Sequence, residues 1–480
     1  MPILHRTVFI AIAWLTSGLL FAQPAQYKFS RINLDQGLSH NQINAIFKDS
    51  RGYLWFGTTS GLNRYDGYSF KSFRHDARDT TSLSNNYIEA IFEGPEGKLW
   101  VSTRGALNVY DPRTGRFHQD PSPFLRQLSL PNLAVTNILR NRKGDYWFLD
   151  PNKGLFRYSA AGKGAEKVPH RPTDSLTVRS AHISALAEDP KGNIWVIHRN
   201  GILEKLNSST LQVTYRSSAI SQKFRGELLD YRLFIDRDGS LWVLPGADAR
   251  GLLYFDPAQN HLLHIHQDAE KARLNNNLVR DVVQDDRGLI WIATDHGGIN
   301  LLDKKDFSVQ YLLHHPDDEK SISQNSINSL YKDNTGIVWV GTIKKGISYY
   351  HENIIKFPLV KNQSANPHSL PYDDINRFVE DAKGNLWIGT NGGGLLYYDR
   401  ASGRYTQFLH DPNDPNSVSS NVIVSLHLDH EQKLWIGTYF GGLSVYDGST
   451  FTHYKHDPAH PKSLPDNRVW AIFEDSRQSL

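Results

Sequence analysis

The chain has 480 residues, 53 Lys and Arg against 50 Asp and Glu, a formal net charge of +3 and no cysteine. A balance this close to neutral, without a Lys/Arg run, speaks against a nucleic-acid footprint. Lack of cysteine removes disulfide staples and thiolate metal sites, so stability must come from packed secondary structure.

At the N-terminus, His5 and Arg6 precede a short apolar run from Val8 to Phe21. The run is too brief to span a bilayer comfortably and reads as a secretory signal, residues 1–22, cut after Ala22. No later stretch holds eighteen consecutive apolar residues, so no membrane helix is expected in the rest of this chain. Tyr27 to Ile32, followed by Gln36 to Asn41, matches the end of a later repeat, such as Phe70 to Asn86.

Tryptophan then marks a repeat: Trp55, Trp100, Trp147, Trp195, Trp242, Trp291, Trp339, Trp387 and Trp435, spaced by 45 to 49 residues. Only Trp14 and Trp470 fall outside this series. Six positions before the Trp stands an Asp, as in Asp49, Asp189, Asp236, Asp285, Asp333, Asp381 and Asp429, with Gly94 and Asn141 as exceptions. Three positions before it stands a Gly, except at Gln432. Ile43 to Phe47 alternates like a strand and Asp49 to Gly52 reads as a tight turn; Tyr53 to Thr58, Gly61 to Tyr65 and Tyr68 to Phe73 supply three more strands. Four antiparallel strands per repeat of this length predict an all-β propeller.

Propellers carry four to eight blades, so nine copies predict one complete ring and part of a second. The N-terminal half-repeat predicts a seven-bladed first propeller over 23–350, closed by Tyr27 to Ile32 pairing with the blade of Trp339. Residues 351–480 then form an incomplete second propeller opened by Ile354 to Val360. Asn467 to Asp475 matches Asn41 to Asp49, and the six-residue offset would place the next Trp at position 481, beyond Leu480. The expectation is a fragment cut inside the third blade of its second ring.

The Trp series could be read as sugar-stacking platforms, but its fixed strand position favours packing between blades. The Asp-x-x-Gly turns lack the ladder of oxygen ligands that calcium needs. Asn391-Gly392-Gly393-Gly394 lies between strands, without the helix N-terminus of a phosphate cradle. His351-Glu352 and His430-Glu431 lack a zinc site's second His. No catalytic set, metal site or cofactor site can be assembled from these residues.

One asymmetry points to a ligand surface. Most repeats follow the Trp with a small residue and Thr, as in Gly57-Thr58, whereas the third to fifth carry Leu149-Asp150, Ile197-His198 and Leu244-Pro245. These positions lead into the turn between second and third strands, on the same rim as the long connectors. Repeat drift is the plainer explanation. Polar or aromatic residues where the fold needs only a turn nominate Arg104, Asp150, Asn152, His198, Arg199, Asp295 and His296 in the first ring, and Asn391 and Tyr439 in the second.

The motif Ile-x-x-Ile-x-x-Asp-x-x-Gly-x-Leu-Trp-x-Gly-Thr-x-x-Gly-Leu-x-x-Tyr, as in Ile43 to Tyr65, resembles the two-component regulator propeller repeat. So do Leu34 to Ser39 and the connectors Thr81 to Asn86, Lys320 to Asn325 and Asn416 to Asn421. The resemblance implies the periplasmic sensor half of a hybrid histidine kinase, anchored in the inner membrane by a segment not in this chain. It also implies an oligosaccharide ligand, homodimerisation through the complete receptor and an output to transcription, with no nucleic acid touched by this region. A secreted binding or scaffold propeller and a propeller-type carbohydrate-active enzyme are the other classes considered.

Overall fold

The computed structural model describes residues 27–162, 164–246, 248–353, 360–363 and 366–480. The expected signal segment and residues 354–359 of the expected strand Ile354 to Val360 lie outside the described residues. The chain divides into two compact units, Met1–Ile355 and Lys356–Leu480. Among the described residues nine four-stranded antiparallel sheets make it an all-β propeller protein, with seven blades in the first unit and two in the second. No helix among the described residues is long and apolar enough to cross a membrane.

Blade 1 runs through Ile43–Lys48, Leu54–Thr58, Gly61–Tyr65 and Phe70–Phe73, each strand pairing with the next. Blades 2 to 6 repeat this order around Trp100, Trp147, Trp195, Trp242 and Trp291. Blade 7 has Ile327–Lys332, Val338–Thr342 and Ile347–Tyr350, and its outermost strand is Ser30–Ile32, with Arg31 opposite Ser348. The ring is thus latched by its own N-terminal strand. In the second unit, complete sheets form around Trp387 and Trp435, whereas residues 467–475 form no strand.

The first strands of neighbouring blades adjoin one another, including those of blades 7 and 1, while between blades 5 and 6 the second strand of blade 5 meets the first strand of blade 6. In blades 1, 2, 4, 6 and 7 a register shift interrupts the first strand, as between Ile43 and Ala45. The bulge re-aims one side chain along the ring. Asn44 Nδ2 donates to Ile88 O at 2.9 Å, and Asn328 Nδ2 donates to Ile43 O at 2.9 Å, closing the circle.

The Asp six positions before each Trp does more than start a turn. Asp49 Oδ1 accepts from the backbone N–H groups of Arg51 and Tyr53, and Oδ2 accepts the Trp55 indole N–H at 2.9 Å. The same bond recurs from Trp195, Trp242, Trp291, Trp339 and Trp435 at 2.8 to 3.2 Å. At Trp387 the bond is replaced, Asp381 Oδ2 accepting from the Tyr397 hydroxyl at 3.0 Å instead, and where the Asp itself is absent the buried indole N–H groups of Trp100 and Trp147 have no partner. At Gly94 a Cβ would stand 2.3 Å from Trp100 Nε1, so the backbone occupies the carboxylate's place.

The latch is clamped as well as paired. Phe29 and Ile32 are buried, and the Arg31 guanidinium donates to Ser321 O at 2.8 Å and Asp318 O at 3.2 Å. Arg31→Ala is expected to cost about 1–3 kcal/mol, the range for a lost charged hydrogen bond that leaves carbonyl groups unpaired. Equilibrium urea unfolding checks this, and an unchanged midpoint would show that the clamp is idle.

Candidate functional site

The rim formed by second-to-third-strand turns and connectors is built by recurring bonds. Gly61, Gly298, Gly346, Gly394 and Gly442 donate their N–H groups to the carbonyls of Asn86, Asn325, Asn41, Asn421 and Asn467 at 2.7 to 3.0 Å. Thr58 Oγ1 caps the turn by donating to Gly61 O, and Thr294, Thr342, Thr390 and Thr438 repeat this at their own turns. The small residue before the Thr is steric: a Cβ on Gly57 would lie 2.6 Å from Ile88 Cγ2 of the next blade. The small-Thr pair therefore belongs to the framework, and departures from it change the framework first.

Asp150 and His198, nominated because they break that pair, are 1% and 2% exposed. Asp150 accepts the N–H groups of Ala134, Asn152 and Lys153 at 2.8 to 2.9 Å and organises the turn in place of Thr. His198 Nε2 lies 2.7 Å from Glu204 Oε2, and Arg216 Nε donates to Glu204 Oε1 at 2.5 Å. Glu204 occupies the third-strand position that Asn63, Asn108 and Asn300 hold elsewhere. Burial pushes its carboxyl pKa up, but the bonds from His198, Arg216 and the Arg179 N–H bring it below the usual glutamate value. In blade 4 a network centred on the buried Glu204 carboxylate thus replaces a neutral one. Neither Asp150 nor His198 presents a free face, so each can serve a ligand only by shaping the rim.

The other first-ring residues divide by exposure. Asp295 is 6% exposed and accepts from Arg280 Nη2 at 2.9 Å. Burial raises its pKa, while bonds from Arg280 and Ser326 and the neighbouring His296 carry it below the usual carboxylate range. His296 is exposed beside it, at a positive φ of 71°, with Nδ1 3.0 Å from Asp295 Oδ1. Arg104 is exposed, its guanidinium 4.5 Å from the Tyr87 ring centroid, and Asn152 is exposed. Arg199 is half-buried, its Nε 3.1 Å from Asp230 Oδ1. The structure brings Asp295 and His296 together; it shows no contact joining them to Arg104, Asn152 or Arg199.

In the second unit the two nominated residues converge. Asn391 and Tyr439 line one cavity of about 310 Å³ with Asn376, Arg377, Val422, Val424 and Trp470. Asn391 is held by Asp374, which accepts its side-chain N–H at 2.9 Å. Asn376 Nδ2 donates to Ile423 O at 2.8 Å. The Tyr439 ring meets Trp470 edge-on with centroids 5.4 Å apart, and Trp470 is 60% exposed. The cavity combines aromatic faces with amide and guanidinium donors, the set that a hydroxyl-rich ligand needs. Sequence reading missed Asn376, Arg377 and Trp470, although Trp470 stood off the repeat and was the signal available. Among the described residues no group of three His, Cys, Asp or Glu could hold a metal ion.

The family model described as two component regulator propeller matches residues 37–60, 82–105, 273–296, 321–344, 369–392 and 417–440. Residues of the third to fifth blades up to 272 lie outside these matches, as their departures from the motif would lead one to expect. Histidine kinase P4 of Formosa agariphila is 39% identical over 64 residues, 13% of this chain and 5% of that protein. A crystal structure described as the extracellular domain of a hybrid two component system from B. thetaiotaomicron superposes with a TM-score of 0.59 at 21% identity. That match covers 94% of this chain and 63% of the other, and it shows the fold alone. A second such domain from the same organism gives 0.49 at 21% identity, with 94% and 56% covered. The chain therefore spans less than two thirds of each of these proteins.

Proposed function

Because the chain belongs to the two component regulator propeller repeat family, we propose that it is the periplasmic sensing region of a membrane-anchored hybrid two-component kinase. In this reading it detects an oligosaccharide, acts as a homodimer within the complete receptor and signals to transcription, while kinase chemistry belongs to the parent protein. The observation that carries the ligand class is the second-unit cavity, where Tyr439 and Trp470 offer aromatic faces beside Asn376, Arg377 and Asn391. Sugar rings stack on such faces, and their hydroxyls pair with amide and guanidinium groups. The exposed first-ring residues Arg104, Asn152 and His296, with the half-buried Arg199, form a second, more dispersed surface on the same kind of rim.

Calorimetry with a panel of neutral and acidic oligosaccharides tests this. Tyr439→Ala and Asn391→Ala are each expected to weaken the binding oligosaccharide at least tenfold. An affinity unchanged in both variants would remove the cavity as the site, and retention after joint alanine substitution of Arg104, Asn152, Arg199 and His296 would remove the first-ring surface.

A further inference from the structure

The opposite rim, formed by the Asp-x-x-Gly turns, is stitched by cations that cross from blade to blade. At the joint of blades 3 and 4, Lys143 Nζ donates to Ser209 Oγ at 2.6 Å and Arg157 Nη1 donates to Ser208 O at 2.5 Å. At the joint of blades 5 and 6 the crossing runs backwards: Lys304 Nζ donates to Asp236 Oδ2 and Asp238 Oδ2, both at 2.7 Å.

The joint of blades 4 and 5 has the same parts and lacks the bonds. Lys191 stands where Lys143 stands, and Lys205, opposite Trp195, stands where Arg157 faces Trp147. Lys304's counterpart is Pro257, which has no group to reach across. Among the described residues neither Lys191 nor Lys205 meets a carboxylate or a hydrogen-bond acceptor through its ammonium group; Lys205 Nζ rests 5.6 and 5.8 Å from the ring centroids of Trp195 and Tyr215. A cavity of about 220 Å³ remains open between them. Three carboxylates also line it: Asp189, engaged by the Lys191 and Asn193 N–H groups and the Trp195 indole, Asp238, already paired with Lys304, and Asp256, whose Oδ1 accepts the Ala258 N–H at 2.9 Å.

We propose that this joint binds a small polyhydroxy acid, its carboxylate held by Lys191 and Lys205. The ligand would supply the acceptors that Ser208 and Ser209 supply at the preceding joint. Two unpaired ammonium groups favour an anion, and their flexible stems let them converge on a compact one. The free oxygen of Asp256 accepts a hydroxyl, which separates a hydroxylated acid from a simple carboxylate. Tyr215 and Pro257 offer faces for the carbon skeleton. The site is independent of the oligosaccharide reading, because it shares no residue with that rim.

D-glucuronate, D-glucose and acetate titrated into the chain by calorimetry test the proposal. Glucuronate is expected to bind, more weakly as salt is added, with glucose silent and acetate at least tenfold weaker. Lys191→Gln and Lys205→Gln should each weaken glucuronate at least tenfold without moving the thermal midpoint. Pro257→Lys, which installs a plug like Lys304, should do the same with both lysines intact. The proposal is overturned if glucuronate gives no binding, if glucose or acetate equals it, or if the double Lys191→Gln, Lys205→Gln variant retains full affinity.

Discussion

Trp339→Ala is expected to destabilise the first ring by roughly 3–5 kcal/mol, the range for truncating a buried aromatic side chain. Trp339 is 4% exposed and packs across the closing joint, its ring 5.8 Å from that of Phe56 in blade 1, beside Ile43 and Ile46. Truncation opens a cavity at the seam where the latched blade meets the first. It also strips the Asp333 carboxylate of the indole donor it holds at 3.2 Å. A cost below about 1 kcal/mol in urea unfolding would mean that the indole does not bridge the blades. The contrast between Trp55→Phe and Trp100→Phe separates packing from hydrogen bonding. The first removes one of two donors to Asp49 Oδ2, the Arg51 Nη2 bond at 2.8 Å remaining, at about 0.5–1.5 kcal/mol, whereas the second deletes an N–H group that has no partner and should cost less.

The period of the array and the fold class were legible because each blade needs the same large residue at the same strand position. The carboxylate-indole bond was not, although its offset was visible. An Asp opening a turn already has a sufficient local reason, and nothing in one dimension says that its second oxygen reaches a side chain six residues on. The same holds for the connector residues Asn41, Asn86 and Asn325, whose carbonyls tie the rim to the preceding blade. Site reading was weakest where it relied on departures from the motif. Asp150 and His198 depart because blades 3 and 4 rebuild their internal networks, so unusual polar residues there mark a changed core. In the second unit, by contrast, Asn391 and Tyr439 meet across two repeats some 48 positions apart, a convergence that only the stacking of blades creates.

That rebuilt network carries the last expectation. Glu204→Gln should destabilise the ring by about 3–5 kcal/mol, as expected when one member of a buried ionic network is removed. Glu204 is fully buried between His198 and Arg216, and it also accepts the Arg179 N–H at 3.1 Å. An amide cannot accept through both arms, so at least one of these donors loses its partner and the Arg216 charge loses its compensation. The pH dependence has a definite sign. Glu204 has a folded-state pKa below its unfolded value, the bonds to His198 and Arg216 outweighing burial. Its stabilising contribution is therefore complete above the ordinary glutamate pKa and is lost as pH falls through the lower folded value. Wild-type stability should fall across that acid window more steeply than that of Glu204→Gln, which has no carboxyl to protonate at this position. Unfolding free energies measured from neutral pH down through the carboxylate range test this, and parallel profiles for the two proteins would show that Glu204 is not held ionised by its neighbours.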